Sequence, residues 1–361
     1  MKLSNVDLTV DNTDLTVRGI IYEQLHTDIP RLRKGGVGAQ FWSVFAPASL
    51  TGAEVVQVTL EQIDLVHQLC DKHPETFAMA RKAADILPLF ASGRIASVCG
   101  IEGGHQINGS LRALRMFHSL GARYMTLTHN GGPGWADPAV ALDGSFCNDA
   151  PLGGLAPFGV AVVREMNRLG MVVDISHVHA LTMEKALDHS RAPVMFSHSS
   201  TRALCAHPRD VPDDILLKLK ENRGIIMIVF LSKFVAGEFW VRGGKVGATV
   251  LEVADHVDHA VKVAGIDCVG LGGDYDGGTP FARGLEDVGC YKALTCELLH
   301  RGYSDGDLGK ILGLNAIRVL QECEDVAEEM KREGALAGEE HFGQELYETN
   351  EMKLERLDEK N

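Results

Sequence analysis

Residues 171–200 constrain the fold of this chain more than any other stretch. They contain an apolar run that ends in His177, a helix-like segment, and a second apolar run that ends in His198. Two apolar strands joined by an amphipathic crossover form a βαβ unit, in which the strands are parallel. We therefore expect both histidines at the carboxyl ends of neighbouring strands, the edge where α/β sheets and barrels carry their chemistry.

Similar apolar runs alternate with helix-like segments along most of the chain, which predicts an α/β fold of the (β/α)₈ TIM barrel type. The runs are continuously apolar, as expected for strands buried on both faces. A closed barrel needs eight strands, but we find only seven, and residues 1–33 are weakly patterned. We expect the first strand to be missing from this chain, unless residues 6–17 form an irregular one. The seven predicted strands are residues 36–47, 95–103, 124–130, 171–178, 192–199, 224–232 and 268–276.

Charge and composition exclude several classes of function. The formal net charge is −14, and no basic stripe suggests nucleic-acid binding. Residues 322–361 carry 14 acidic against 5 basic side chains, so we predict a barrel domain over residues 1–321 and an acidic C-terminal tail from residue 322. No apolar run approaches the roughly 18 residues that cross a bilayer. Because the start lacks signal-peptide features, we predict a cytoplasmic protein.

Five ionisable side chains each follow an apolar run, and in a barrel all five would face one bowl. A single histidine after a strand is more often a hydrogen-bonded core residue, but five such groups together favour a functional site. Two imidazoles and one carboxylate suit a catalytic Zn²⁺ that keeps a position open for water. We therefore predict that Glu102, His177 and His198 bind the metal. The five side chains are Glu102, His129, His177, His198 and Asp274.

Asp274, Arg209 and the glycines beside Glu102 each have a functional and a structural interpretation that the sequence does not separate. Asp274 is either a general acid/base or an anchor for a substrate amine, or else it caps a turn or helix. Arg209 either pairs with a substrate carboxylate or is simply solvated. The glycines flanking Glu102 permit close backbone approach to a metal or substrate, or only shape a tight turn.

Several motifs together resemble the membrane (renal) dipeptidase family of zinc metallopeptidases, from His26 onward. They include HTDIPRLRKGGVGAQFWSV, CGIEGGHQI, YMTLTHNGGPGWAD, RAPVMFSHSS, HPRDVPDD and GLGGDYDG. The resemblance implies a barrel with two zinc ions that hydrolyses dipeptides, and a homodimer.

By matching position, the resemblance also implies roles for single residues. Glu102 resembles the carboxylate that bridges both metals, with His177 and His198 completing the second site. His129 resembles the residue that polarises the scissile carbonyl, Arg209 the one that receives the substrate carboxylate, and Asp274 the one near the substrate amine and leaving nitrogen.

Two departures from the family pattern affect the expected activity and location. Family members carry a His-x-Asp pair at the end of the first strand, but no histidine precedes His26 here. We therefore expect only one zinc site and impaired hydrolysis. A non-catalytic barrel that binds peptide or metal, and an amidohydrolase acting on N-acyl amino acids or lactams, remain alternatives. Cys70 and Cys205 match disulfide-forming cysteines of the family, yet their expected partner positions hold no cysteine. Free thiols are therefore expected.

Overall fold

The computed structural model describes residues 8–10, 25–236 and 247–342, and the backbone of four two-residue strands outside these ranges. Most of its strands belong to one parallel sheet. The strands are β1 (Thr16–Val17), β2 (Ile20–Ile21), β3 (Ala39–Val44), β4 (Phe77–Met79), β5 (Ile95–Glu102), β6 (Ala122–Thr126), β7 (Val172–Asp174), β8 (Met195–Ser199), β9 (Ile225–Ile228), β10 (Val241–Arg242), β11 (Lys245–Val246) and β12 (Val269–Leu271).

Helices lie between the strands, as the predicted alternation requires. They are α1 (Ile29–Gly35), α2 (Gly52–Lys72), α3 (Ala83–Ala91), α4 (Leu111–Leu120), α5 (Pro157–Leu169), α6 (Ala180–His189), α7 (Asp213–Asn222), α8 (Ser232–Val235), α9 (Val250–Ala264), α10 (Tyr291–His300), α11 (Asp305–Gly309) and α12 (Asn315–Arg332). Short 3₁₀ turns cover Gly104–Ile107, Ile266–Cys268 and Val288–Cys290, and a π-helical turn covers Lys310–Leu314.

Seven parallel strands follow one another in the order β3-β5-β6-β7-β8-β9-β12 and curl into an incomplete barrel. The eighth strand of the sheet, β4, pairs beside the first half of β5, whereas β6 pairs with its second half. All four residues of β9 are buried, which explains why the strands read as continuous apolar runs. The TIM-barrel fold class predicted from the sequence is confirmed.

In the part of the chain that the structure describes, no strand takes the place of the first barrel strand. Strands β12 and β3 are the two ends of the hydrogen-bonded path, and no described strand joins them. We call this gap the seam. Strands β1 and β2 pair antiparallel with each other. The alternative of an irregular first strand falls on residues 6–17, most of which lie outside the described residues.

The predicted boundary between barrel and tail falls within a helix. Helix α12 runs through residues 321 and 322, and it buries Val319, Leu320 and Cys323. The Cys323 thiol donates to the Pro193 carbonyl oxygen at 3.3 Å. The acidic side chains of this segment lie on the outer face of an amphipathic helix, and the domain boundary stays a prediction. Residues 343–361 lie outside the described part.

All eight cysteines are free thiols, as expected. In the described residues, no helix is both long and apolar enough to cross a membrane. The homodimer and the cytoplasmic location stay predictions.

Candidate metal centre

Strand ends bring the predicted metal ligands to one edge of the sheet. Glu102 is the last residue of β5, His198 lies in β8, and His177 follows β7 by three residues. The backbone of His177 is left-handed, with φ of 67°, and that of Asp274 has φ of 61°. Such conformations are costly for residues with a side chain and cluster at functional sites, where they direct side chains.

The three predicted ligands converge on one point. The Nε2 atoms of His177 and His198 are 2.9 Å apart. The Oε1 atom of Glu102 lies 3.3 Å from the first and 3.4 Å from the second. Donors that share a tetrahedral zinc ion are roughly 3.3 Å apart. The triangle therefore has the size that a single bound cation requires.

The protonation states also suit a cation. Burial lowers the pKa of His177 and of His198 well below 6.5, and the nearby Arg209 adds to this effect. Both imidazoles are therefore neutral and keep a lone pair for a metal. Burial alone would raise the pKa of Glu102, but His198, His129 and the Ser43 hydroxyl outweigh it and lower the pKa. The site thus holds one carboxylate beside two neutral imidazoles, the charge pattern of a metal site.

A hydrogen-bond relay behind the site orients His198. The Nδ1 atom of His198 lies 2.7 Å from the Ser197 hydroxyl, which in turn donates to Asp174 at 2.6 Å. Asp174 is fully buried and also accepts from the Thr126 hydroxyl at 2.6 Å. Such partners fix the tautomer and orientation of ligating histidines. The sequence analysis missed Ser197 and Asp174, although an acid inside the apolar run VVDISH is costly to bury and marks a partnered position.

Glu102 has a similar support, which the sequence analysis also missed. The hydroxyl of Ser43, on β3, donates to its Oε2 atom at 2.6 Å. This bond leaves Oε1 to face the two histidines. A lone serine in a strand gives no signal of this role.

The glycines around Glu102 allow a tight turn and close packing of the backbone. Gly103 has φ of 131°, which residues with a side chain rarely adopt. A side chain at Gly104 would meet the Leu127 carbonyl and the Trp135 ring at about 2.5 Å. Both contacts are with the barrel wall, which favours the tight-turn interpretation over close approach to a metal.

His129 lies beside the ligands. Its Nε2 atom is 3.8 Å from Oε1 of Glu102, and its ring stacks on that of His177 with centroids 4.3 Å apart. Donor atoms of Glu102, His129 and His177 all lie within 4.8 Å of one another. Burial lowers the pKa of His129, so this ring is neutral as well.

Asp274 reaches the same centre from the end of β12. Its carboxylate lies within 4.8 Å of donor atoms of Glu102 and His198. Burial and the negative charge of Glu102 raise its pKa to about 8. Asp276, two residues further on, instead makes a long-range structural contact, because its carboxylate accepts a hydrogen bond from the His26 backbone amide at 2.8 Å.

Arg209 is not a solvated loop residue. Only 2% of it is exposed. Its Nη1 atom donates to the Ser199 hydroxyl at 3.3 Å and its Nη2 atom to the His198 carbonyl at 3.2 Å. These bonds hold the guanidinium against the metal centre, where it lines the same cavity as Glu102 and Asp274.

Comparison with known proteins agrees with this geometry. Residues 4–334 match the family model described as membrane dipeptidase, peptidase family M19. The chain belongs to this family. Dipeptidase verJ of Clonostachys rogersoniana is 40% identical over 86% of this chain and 79% of its own length. Dipeptidase tcpJ of Claviceps purpurea (strain 20.1) is 43% identical over 85% of this chain and 71% of its own.

Solved structures show the same fold. The probable dipeptidase PvdM from Pseudomonas aeruginosa superimposes with a TM-score of 0.78 at 22% identity, covering 89% of this chain and 94% of PvdM. A metallo peptidase from Rhodobacter sphaeroides, liganded with a phosphinate mimic of L-Ala-D-Ala, gives 0.74 at 23% identity and covers 85% and 92%.

One triplet has the His-x-Asp order that the resemblance places at the end of the first strand. It is His26-Thr27-Asp28, just before α1. Asp28 caps α1 by accepting from the Arg31 backbone at 2.8 Å, and it pairs with the Arg31 side chain. Neither His26 nor Asp28 belongs to the converging donor groups found among the described residues.

Proposed function

We propose that this chain is a zinc-dependent dipeptidase with one metal site. The observation that carries the proposal is the convergence of Glu102, His177 and His198 within 3.4 Å of one another. Imidazole and carboxylate donors in a set of three are typical of catalytic zinc sites. A zinc ion there would supply Lewis-acid activation of water at neutral pH.

The surrounding residues fit the ends of a dipeptide. Arg209 presents a buried guanidinium, which binds carboxylates in a bidentate manner, so we assign it the free carboxylate of the substrate. This requirement selects substrates that end one residue past the scissile bond. On the opposite side of the cavity, Asp274 lies near the place of the substrate amine.

We assign proton transfer to Asp274 and polarisation of the scissile carbonyl to His129. With a pKa of about 8, Asp274 carries a proton at neutral pH and can give it to the leaving nitrogen. His129 lies 3.8 Å from Glu102 and faces the space where the scissile carbonyl would lie. A neutral imidazole in this position can donate a hydrogen bond to the developing oxyanion.

Hydrolysis of alanyl-glycine by the purified chain tests the proposal. We expect slow hydrolysis that a chelator abolishes and zinc restores. Glu102→Gln keeps the shape of the side chain but removes the anionic donor, so it should abolish activity. Glu61→Gln, at an exposed position of α2, is the matched control and should leave the activity unchanged. Hydrolysis that survives both the chelator and Glu102→Gln would contradict the proposal.

A non-catalytic peptide-binding barrel is the second candidate, because the seam removes the strand that carries the other metal ligands in the family. Chelator-insensitive binding of alanyl-glycine without turnover would favour it. Side-by-side assays with N-acetylalanine and a lactam address the amidohydrolase alternative.

A further inference from the structure

Lys233 stands at the mouth of the metal centre on a fixed backbone. It lies in α8, which begins shortly after β9 ends, on the same edge of the sheet as the ligands. Its neighbours Phe234 and Val235 are buried, and its carbonyl accepts a hydrogen bond from the Cys205 thiol at 3.5 Å. The side chain itself is exposed and lines the cavity that contains Glu102.

Lys233 and Arg209 share one aromatic neighbour. The Nζ atom of Lys233 is 4.8 Å from the centre of the Phe234 ring, and Cζ of Arg209 is 5.1 Å from it. The two positive charges therefore lie less than about 10 Å apart, and both are next to the same apolar ring.

Among the described residues, no carboxylate lies within ion-pair distance of Lys233. Lys218 and Lys310, by contrast, each have a carboxylate at 2.7 Å. Lys233 lines the same cavity as Glu102 and Arg209, so its charge lies beside the proposed reaction site.

We propose that Lys233 is a specificity-determining residue, which receives the side-chain carboxylate of dipeptides that end in aspartate or glutamate. The proposal rests on the proposed function, in which Arg209 receives the main-chain carboxylate. In such residues the second carboxylate is only two or three carbon atoms from the first, so both can face this pair of cations. An uncharged amide at the same place gains no such attraction.

The test uses phosphinate mimics of alanyl-glutamate and alanyl-glutamine, whose central link is not cleaved. Titration calorimetry on the full chain loaded with zinc measures both dissociation constants. We expect the glutamate mimic to bind about fivefold more tightly, as for a partly exposed ion pair. In Lys233→Met the ratio should fall to about one. Lys185→Met, at an exposed position of α6, should keep the ratio of the wild type.

The outcomes separate this inference from the proposed function. A ratio near one in the wild type, or an unchanged ratio in Lys233→Met, would refute the role of Lys233 and leave the dipeptidase proposal standing. Failure of both mimics to bind would overturn both. A ratio that also declines as salt is raised would support the role, because an ion pair between exposed groups is screened.

Discussion

Two regions of the sheet differ in how completely their polar groups are hydrogen-bonded. One is the closed half, which consists of strands β5 to β9, and the other is the seam. From β5 to β9 every strand pairs with at least two neighbours, and Asp174 links β6, β7 and β8 through its hydrogen bonds. At the seam, β3 and β12 each have a single partner strand among those the structure describes. All three proposed zinc ligands lie on the closed half. The proposed zinc site therefore depends on the part of the sheet whose strands are fully paired, and not on the seam.

The interior of this incomplete barrel holds a large cavity. Its volume is about 1880 Å³, and it is lined by Glu102 and by apolar residues such as Phe41 and Met227. TIM-barrel interiors are normally filled by layers of side chains. The interior of this barrel is therefore less completely filled than that of a closed one.

Removing a ligand from the closed half should have the largest effect. His198→Ala deletes one of three converging donors, so we expect zinc affinity and dipeptide hydrolysis to fall at least about 100-fold. Zinc titration and an activity assay measure both. The control is His259→Asn, because His259 only pairs with Asp213 at 2.8 Å on the outer helices. Equal losses in the two variants would remove the distinction between ligand and surface histidine.

Removing Asp174 from the hydrogen-bond relay behind the metal centre should lower both the stability of the protein and its affinity for zinc. Asp174→Ala leaves the hydroxyls of Thr126 and Ser197 without their buried acceptor, so we expect a loss of about 3 kcal/mol in unfolding free energy. Zinc affinity should fall about tenfold. Urea unfolding and zinc titration test this. The control is Asp143→Ala, which is exposed and bonds only locally to Ser145. A stable Asp174→Ala variant would show that the closed half does not depend on this residue.

Acidification should lower the folding stability of the closed half, because His256 is buried behind β8 and β9. Its Nδ1 accepts from the Thr201 backbone at 3.0 Å and its Nε2–H donates to the Val235 carbonyl, so the ring is held neutral. Burial lowers its pKa to about 4. The unfolded chain, with a pKa near 6.5, binds the proton more readily. Stability is therefore complete above pH 6.5 and falls as the pH drops toward 4.

From pH 7 to pH 5 we expect His256 to account for about 2 kcal/mol of lost unfolding free energy. Urea unfolding of the wild type and of His256→Gln at both pH values measures it. The glutamine variant should lose about 2 kcal/mol less than the wild type. Identical pH dependence in the two proteins would show that His256 does not carry the effect.

The smallest effect should appear in hydrogen exchange along the sheet. Amides of β8 lie between two partner strands, so we expect them to exchange at least about tenfold more slowly than those of β12 at the seam. Exchange followed by mass spectrometry compares the two strands. Equal protection would indicate that the seam is closed in solution.

The sequence predicted the sheet well because parallel strands buried on both faces leave a simple apolar signature. It also located Glu102, His177 and His198, since each ends such a run. It could not reveal Ser43 or Lys233, because their roles depend on which strand or ring lies opposite in space. The charge pattern after residue 321 also gave no sign that Cys323 is buried, because acidic residues cover the other face of α12.

Metal analysis of the purified chain by atomic emission tests the central claim most directly. With three donors converging on the closed half, and with His26 and Asp28 outside the converging donor groups, we expect one zinc ion per chain, lost in His198→Ala. Two tightly bound zinc ions per chain, or one that persists in His198→Ala, would contradict the account.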